Sequence, residues 1–219
     1  MPSTEILIAF TLAALLMNIS PGPSNLYVVA RAIAQGTKGG IVAGMGLAVG
    51  SMVHVMATVL GLSAVFEHSP TLYTAVKLAG AAYLIYLGIS YWQNKTEESP
   101  DGDGCLVEPV KRKPLISVFR ESIIVEVTNP KTALFFIALL PQFVVPESGP
   151  ISLQLLILGL IVTLSAIPCD IAVAVLSSKV SNYLLKNERA QRIQERVSGS
   201  ILFGMGAYIV TDEARAVGD

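Results

Sequence analysis

Charged residues are scarce in this 219-residue chain, of which only 14% is Asp, Glu, Lys or Arg. Soluble domains carry roughly 25%. Hydrophobic residues make up 53% of the chain, and the net charge is only −1. The chain therefore lacks the basic surface, interleaved with aromatic residues, that nucleic-acid binding requires. What is left to interpret is the arrangement of the hydrophobic residues.

The sequence lacks the residue patterns of disulfide bonds, metal sites and several common enzyme classes. The two cysteines, Cys105 and Cys169, stand far apart and match neither a CxxC pair nor a metal spacing, so we predict no disulfide. The two histidines have no nearby cysteine or aspartate pair, and we predict no metal or other cofactor. No Walker loop, GxSxG elbow or HExxH motif occurs, which argues against an ATP-driven pump and against an enzyme.

Basic residues are absent before Arg31. A cleaved signal peptide needs a basic segment ahead of its apolar run, so we expect the first hydrophobic segment to remain in the mature protein. A membrane-spanning helix needs about 20 apolar residues. Segments that are apolar on all sides, rather than along one stripe, occur at six places, of which the last is short. We predict an all-α integral membrane protein with about six transmembrane helices, at residues 6–33, 41–66, 71–92, 115–145, 151–178 and 197–211.

Lysine and arginine collect in the loops after the first, third and fifth spans. Cytoplasmic loops collect these residues, so we predict that both termini lie outside. The longest polar stretch, residues 93–113, has the composition of a solvated linker. It divides a single transporter domain, residues 1–219, into a first repeat at about 4–92 and a second at about 114–212. Three spans per half is an odd number, so the second repeat must be inverted in the membrane, as in many secondary transporters.

Proline interrupts the first and fourth spans near their middles, at Ser20-Pro21-Gly22-Pro23 and at Asn129-Pro130-Lys131. Proline removes an amide donor and frees the carbonyl four residues earlier. Irregular backbone at this depth is expected where it is buried in protein or lines a wet cavity. We therefore predict two broken helices, 1 and 4, rather than simple kinks.

Each break frees identifiable groups. Pro21 frees the carbonyl of Met17, and Pro130 frees that of Glu126. Each restarted helix needs an N-cap, for which we predict Ser20 or Asn18 in the first half and Asn129 in the second. The free N–H groups and positive dipole of a restarted helix suit a carboxylate, so two such ends would define one central anion site.

Three charged side chains lie well inside the predicted spans, namely Lys131, Glu126 and Asp170. Intramembrane charges are costly and normally pair or face a cavity. One interpretation is an ion pair of Lys131 with Asp170 or Glu126. The other places Lys131 against a substrate carboxylate, with Asp170 or Glu126 holding an ammonium group or carrying a proton. His54, in the second span, is either a helix–helix hydrogen-bond donor or a proton relay.

Two pairs of glycines in the second span allow close helix approach: Gly40 with Gly44, and Gly46 with Gly50. Internal packing is the simpler interpretation, and a homodimer interface is the alternative. We include Asn25, just after the first break, in the predicted substrate site.

Several of these motifs resemble the lysine exporter (LysE) superfamily, and in particular its homoserine/threonine exporter (RhtB) branch. The resemblance runs from about residue 4 to 206 and rests on three segments, namely Ser20-Pro21-Gly22-Pro23, residues 77–84 (KLAGAAYL), and Asn129-Pro130-Lys131 followed by residues 140–143 (LPQF). His54 and Asp170 also match positions that this branch tends to fill. The resemblance implies an inner-membrane exporter of amino acids, generally driven by the proton gradient.

The chain departs from that family in three places. Ser51 and Glu126 replace residues that are often Asp and Asn, and the tail from Asp212 is acidic rather than basic. From the residues and the resemblance together, we expect a proton-coupled exporter of small amino acids such as homoserine, threonine or leucine. The alternatives are a cation or metal efflux protein of the same superfamily, a membrane enzyme, and a membrane partner without transport activity.

Overall fold

A computed structural model of the chain describes residues 2–20, 22–64, 70–93 and 112–184, together with helical residues at 196, 200, 203, 204, 207, 210 and 211. Every long regular element in this part is an α-helix: α1 (Thr4–Ile19), α2 (Pro23–Gln35), α3 (Thr37–Ala57), α4 (Pro70–Gln93), α5 (Leu115–Val127), α6 (Pro130–Ala138) and α7 (Ile151–Leu184). A π-helical turn (Thr58–Leu62) extends α3, and two 3₁₀ turns (Leu140–Phe143 and Pro146–Ser148) connect α6 to α7. Pro21 and most of the predicted linker, residues 94–111, lie outside the described residues.

Four of the six predicted spans correspond to helices, or bent helix pairs, that are long and apolar enough to cross a membrane. Thr37–Leu62 and Ile151–Ser177 are each long and apolar enough to cross a membrane alone. The α1–α2 pair is bent by 52° and the pair Leu115–Val127 with Pro130–Phe143 by 47°, as expected for the two predicted broken helices. The third predicted span coincides with α4, and the sixth falls mostly outside the described part. The protein is thus an all-α, multi-pass membrane protein, as predicted, while the inverted repeat stays a prediction.

The helix α3 lies at the centre of the described bundle and uses its glycines to approach two neighbours. A Cβ on Gly40 would come within 2.6 Å of Ala174 Cβ, on α7. On another side of α3, a Cβ on Gly46 would come within 2.4 Å of the Phe119 carbonyl oxygen, on α5. Glycine is required at both positions because the helix backbones approach too closely for any side chain. Both glycine pairs therefore pack inside the bundle.

Two clusters of buried apolar side chains hold the helices together. The larger joins α1, α6 and α7 through residues such as Phe10, Phe136 and Leu158, and the smaller joins α2, α3 and α5 through Val28, Leu47 and Val118. Large apolar side chains also point outward, including Leu12, Ile124 and Leu164, each more than half exposed. In water such a surface would be costly, whereas lipid tails are its natural neighbours.

The turn before α7 is fastened to that helix by one buried amide. The side chain of Gln154 accepts a hydrogen bond from Val145 N (3.0 Å) and donates to the carbonyls of Val145 (2.9 Å) and Gly149 (3.0 Å). Only 1% of Gln154 is exposed. A buried amide must satisfy its donors and acceptor, and here the turn backbone supplies three partners. Gly149 has φ 128°, a conformation that other residues rarely adopt.

Candidate functional site

A small cavity lies between the two helix breaks, α3 and α7. The space open to the centre of a water molecule is about 40 Å³, which is enough for more than one water. Its polar lining comes from both halves of the chain and comprises Asn18, Gly22, Ser24, Asn25, Ser51, Glu126, Asn129, Lys131, Thr132 and Asp170. The two predicted breaks therefore meet at one place.

Lys131 reaches from the second half to the carbonyl oxygens at the end of α1. Its Nζ donates to Met17 O at 2.8 Å and to Ser20 O at 2.5 Å. The Met17 carbonyl is the one that we expected Pro21 to free, and the Lys131 ammonium satisfies it. An ammonium has three N–H donors, so one remains beyond these two bonds. In this conformation Lys131 forms no ion pair with Glu126 or Asp170; within the described part, the ion pairs are those of Arg31 and Lys113 with Glu121. This conformation thus shows the Lys131 ammonium bonded to backbone carbonyls and not to either acid.

Asn25 fixes the same break from the α2 side. Its Nδ2 donates to Asn18 O at 3.0 Å and to Ser20 O at 2.9 Å. The side chain of Asn18 turns away to α7, where its Nδ2 donates to Val162 O (3.2 Å) and Ser165 Oγ (3.0 Å). The carbonyls at the end of α1 that lack partners within the helix thus accept hydrogen bonds from side chains of α2 and α6. The Asn18 side chain connects α1 to α7.

The Glu126 carboxylate is bonded on both oxygens. Ser24 Oγ donates to its Oε2, and Thr132 Oγ1 donates to its Oε1 at 2.9 Å. Asn129 Nδ2 donates in turn to Ser24 Oγ at 2.7 Å. Ser24 follows the first break, and Asn129 forms the second, so this chain of hydrogen bonds joins the two breaks directly.

The second break follows its prediction at both ends. Asn129 Oδ1 accepts from Lys131 N at 3.0 Å, which is the predicted cap of α6. The carbonyl oxygen of Glu126, which Pro130 frees, forms a hydrogen bond of 2.9 Å with His54 Nε2. It also accepts a hydrogen bond from Asn129 N at 3.0 Å. His54 therefore forms a helix–helix hydrogen bond between α3 and the break.

The first break departs from its prediction. The N-cap of α2 is Gly22, and no side chain makes a cap hydrogen bond there. Neither Ser20 nor Asn18 is the cap, because Asn18 is engaged with α7; the buried Ser20 Oγ has no hydrogen-bond partner in the described part of the chain. The start of α2 is consequently uncapped beside the cavity, whereas the start of α6 is capped by its own Asn129. One N–H group at the start of α6, that of Lys131, is thus occupied by a side chain, whereas no side chain occupies those at the start of α2.

Asp170 differs from Glu126 in its surroundings. It is buried on α7, and its side chain lies against Gly44, where an added Cβ would be 2.8 Å from Asp170 Cβ. Among the described residues, no hydrogen-bond donor or cation contacts its carboxylate, although it lines the cavity. A buried carboxylate without partners is expensive and normally serves a bound group. The cavity therefore contains one bonded acid and one unbonded acid.

Most of the predicted site residues meet here. Gly22, Asn25, Asn129, Lys131 and Asp170 line the cavity, as does Glu126. Ser20 and His54 contribute at its edge through the hydrogen bonds given above. Pro23 and Pro130 start α2 and α6 and are exposed, and Pro21 is outside the described residues.

Two hydroxyl groups of the site, on Ser24 and Thr132, were not predicted from the sequence. Each lies in the first turn after its break, a signal that could have been used. Ser51, which also lines the cavity, has its Oγ 2.9 Å from Thr163 Oγ1 on α7.

Comparison with known proteins places this chain in a family. Residues 15–213 match the family model described as LysE type translocator. An uncharacterised membrane protein of Bacillus subtilis (strain 168) is 32% identical over 203 residues, covering 91% of this chain and 96% of that protein. A homoserine/homoserine lactone efflux protein of Salmonella typhimurium is 29% identical (93% and 95% covered). A leucine efflux protein of Salmonella choleraesuis is 24% identical (92% and 93%). No solved structure matches the chain. The chain belongs to the LysE type translocator family.

Proposed function

We propose that this protein exports small amino acids, of the homoserine, threonine or leucine type, across a bacterial inner membrane in exchange for protons. The observation that carries this proposal is the cavity itself, where a lysine ammonium with a spare donor and an unbonded carboxylate line one space. An amino acid carries the complementary pair of charges, a carboxylate and an ammonium. Opposite charges on substrate and site give specificity as well as affinity.

The substrate carboxylate would bind at the start of α2. The free N–H groups of this helix and its dipole favour an anion, and no side chain competes for them. The Lys131 side chain runs alongside, since a Cβ on Gly22 would lie 3.0 Å from Lys131 Cδ and 3.4 Å from Nζ. The third donor of Lys131 would complete the carboxylate site. The anion site, which we expected at two helix ends, would then lie at the start of α2 beside Lys131.

The substrate ammonium would bind Asp170, because Asp170 is the acid without partners among the described residues. Glu126 already accepts from Ser24 and Thr132 and holds the two breaks together. A carboxyl group in a membrane-embedded cavity is also the kind of group that carries protons in transporters. Exchange of a proton for an ammonium on Asp170 would couple export to the proton gradient.

Alternating access would arise from movement of one half against the other. We propose that the halves, residues 4–92 and 114–212, are inverted repeats of one domain, joined by the linker, with both termini outside. The contacts of Lys131 with α1 and of Ser24 with Glu126 and Asn129 cross between the halves, so their rearrangement would accompany the transition. The relatives named as homoserine and leucine efflux proteins support an α-amino acid as substrate.

The test is release of labelled homoserine, threonine and leucine from proteoliposomes, with and without an imposed pH gradient. We expect protein-dependent release of at least one label, accelerated when protons can enter in exchange. Lys131→Ala liposomes serve as the matched control and should release none. A release rate that is the same with and without the pH gradient would reject proton coupling. No release by folded wild-type protein would reject these substrates and favour the alternative, cation or metal efflux.

A further inference from the structure

The C-terminal end of α1 holds a positive charge that belongs to another helix. Two backbone oxygens, of Met17 and Ser20, both accept from the Lys131 ammonium, at 2.8 and 2.5 Å. The end of a helix carries a partial negative charge, and its last carbonyls lack partners within the helix. The broken helix has thus created a cluster of oxygens suited to a cation.

This cluster is preorganised. Asn25 Nδ2 bonds to the carbonyls of Asn18 and Ser20, which fixes the direction of the backbone at the break. Ser20 Oγ lies at the same break, buried and without a hydrogen-bond partner in the described segments. In transporters with broken helices, unwound carbonyls and half-helix ends of this kind coordinate the coupling cation. Carbonyl oxygens can replace the hydration shell of a monovalent cation such as K⁺.

We propose that the carbonyl oxygens of Met17 and Ser20 form a binding site for an ammonium-sized monovalent cation, which Lys131 fills as a tethered ligand. Free cations are excluded from this site in the wild-type protein because the Lys131 ammonium already occupies it. Removing the ammonium while leaving space creates a site for K⁺, NH₄⁺ or methylammonium. The ligand class is set by the partners, which are neutral oxygens with no carboxylate among the bonds to Nζ.

What this cation site means for transport rests on the exporter activity proposed above. The existence of the site at the Met17 and Ser20 carbonyls does not. Lys131 lies in the second half and its acceptors in the first. A cation that is part of the chain lets the halves close around an empty cavity without taking up a free metal ion. The exporter therefore needs no dissolved Na⁺ or K⁺ to return to its starting conformation.

The experiment measures thermal unfolding of the purified protein in nanodiscs, in choline chloride and then in KCl, NH₄Cl or methylammonium chloride at equal ionic strength. We expect the Tm of Lys131→Ala to rise with cation concentration and to saturate. The rise should reach about 5–10 °C at a concentration one hundred times the Kd. The wild-type Tm should not depend on which cation is present.

Lys131→Met is the matched control, because methionine fills most of the lysine volume and carries no charge. Its Tm should be low and insensitive to the cation. Equal stabilisation of wild type and Lys131→Ala, or no stabilisation of Lys131→Ala, would overturn the proposal. If Lys131→Ala is recovered only as aggregate in choline, purification in NH₄Cl should restore monodisperse protein. Aggregation in every cation would also overturn the proposal, since it holds that a free cation replaces the lost contact.

Discussion

Arg31 on α2 and Glu121 on α5 form an ion pair of 2.8 Å that connects the two broken spans at a distance from the cavity. The Arg31 side chain is 6% exposed and that of Glu121 34%. The hydroxyl of Tyr27 also donates to Glu121 Oε2, at 3.1 Å. The Arg31 guanidinium lies over the Tyr27 ring. Lys113 pairs with the other oxygen at 2.7 Å, but is 44% exposed. One carboxylate thus serves a buried cation and an exposed one.

The two cations should differ in their contribution to stability. Glu121→Gln leaves the buried Arg31 beside a neutral amide, and we expect a loss of about 1.5–3 kcal/mol in the free energy of unfolding. Lys113→Gln removes only the exposed pair and should cost about 0–1 kcal/mol. Thermal unfolding in nanodiscs, at low and high salt, measures both. Equal losses from the two variants would show that burial of Arg31 is not what matters.

Gly22→Ala should disturb the position of Lys131. The new Cβ would lie 3.0 Å from Lys131 Cδ, so the lysine side chain has to shift by a few tenths of an ångström, and we expect its bonds to the carbonyls of α1 to weaken. Because Gly22 has an extended backbone (φ −172°), the substitution adds no backbone strain, and the effect is confined to this contact. We expect slower export with the fold retained.

Gly61→Ala is the control for Gly22→Ala, since a Cβ there would meet no atom within 4 Å. Release of labelled amino acid from proteoliposomes compares the two variants. If Gly22→Ala exports as fast as Gly61→Ala, the position of Lys131 does not affect transport.

Asp170→Asn should reduce export far more than it reduces stability. The carboxylate has no bonding partner among the described residues, so the folded protein loses little when the charge is removed. A substrate ammonium would lose a charge-assisted contact, which amounts to about a 10- to 100-fold slower release. Asp170→Glu keeps the charge and should retain part of the activity. Export by Asp170→Asn at the wild-type rate, with the same response to the pH gradient, would rule out both proposed roles.

His54 can be tested as a relay or as a structural donor with two substitutions. His54→Gln keeps an N–H donor for the Glu126 carbonyl but cannot carry a proton as imidazole does. We expect export by this variant to remain dependent on the pH gradient. His54→Leu removes the donor and should cost about 1 kcal/mol, because Asn129 N still serves the same carbonyl. Loss of gradient dependence in His54→Gln, with Tm unchanged, would instead identify a relay.

Much of the local structure at the breaks could be predicted from the sequence, and the partners across the bundle could not. Asn129 before Pro130 has the local pattern of a cap, and the structure confirms it. The partner of the Met17 carbonyl is Lys131, 114 positions away, and no local rule selects it. The same holds for Asn18, whose side chain is taken by α7 instead of capping α2. Short motifs determine where a helix breaks, whereas the partners of the freed groups depend on which helices meet.

The sequence also could not show which of the two buried acids is hydrogen-bonded. Glu126 and Asp170 are both intramembrane carboxylates, and their positions alone gave them interchangeable roles. Their difference comes from Ser24 and Thr132, two hydroxyl groups that bond Glu126 and not Asp170. Serine and threonine are too common in membrane helices for either to be recognised as a partner without the fold.

The three hydrogen bonds of Gln154 have a consequence for where the chain can bend. They join the turn at residues 145–149 to the first turn of α7, so these two segments move as one rigid body. Labels placed on the exposed residues Glu147 and Leu153, which leave Gln154 intact, should therefore keep a constant separation through the transport cycle. In the transport cycle proposed above, the flexion that opens and closes the cavity would be absorbed outside these two segments, and we expect the proline breaks to act as hinges.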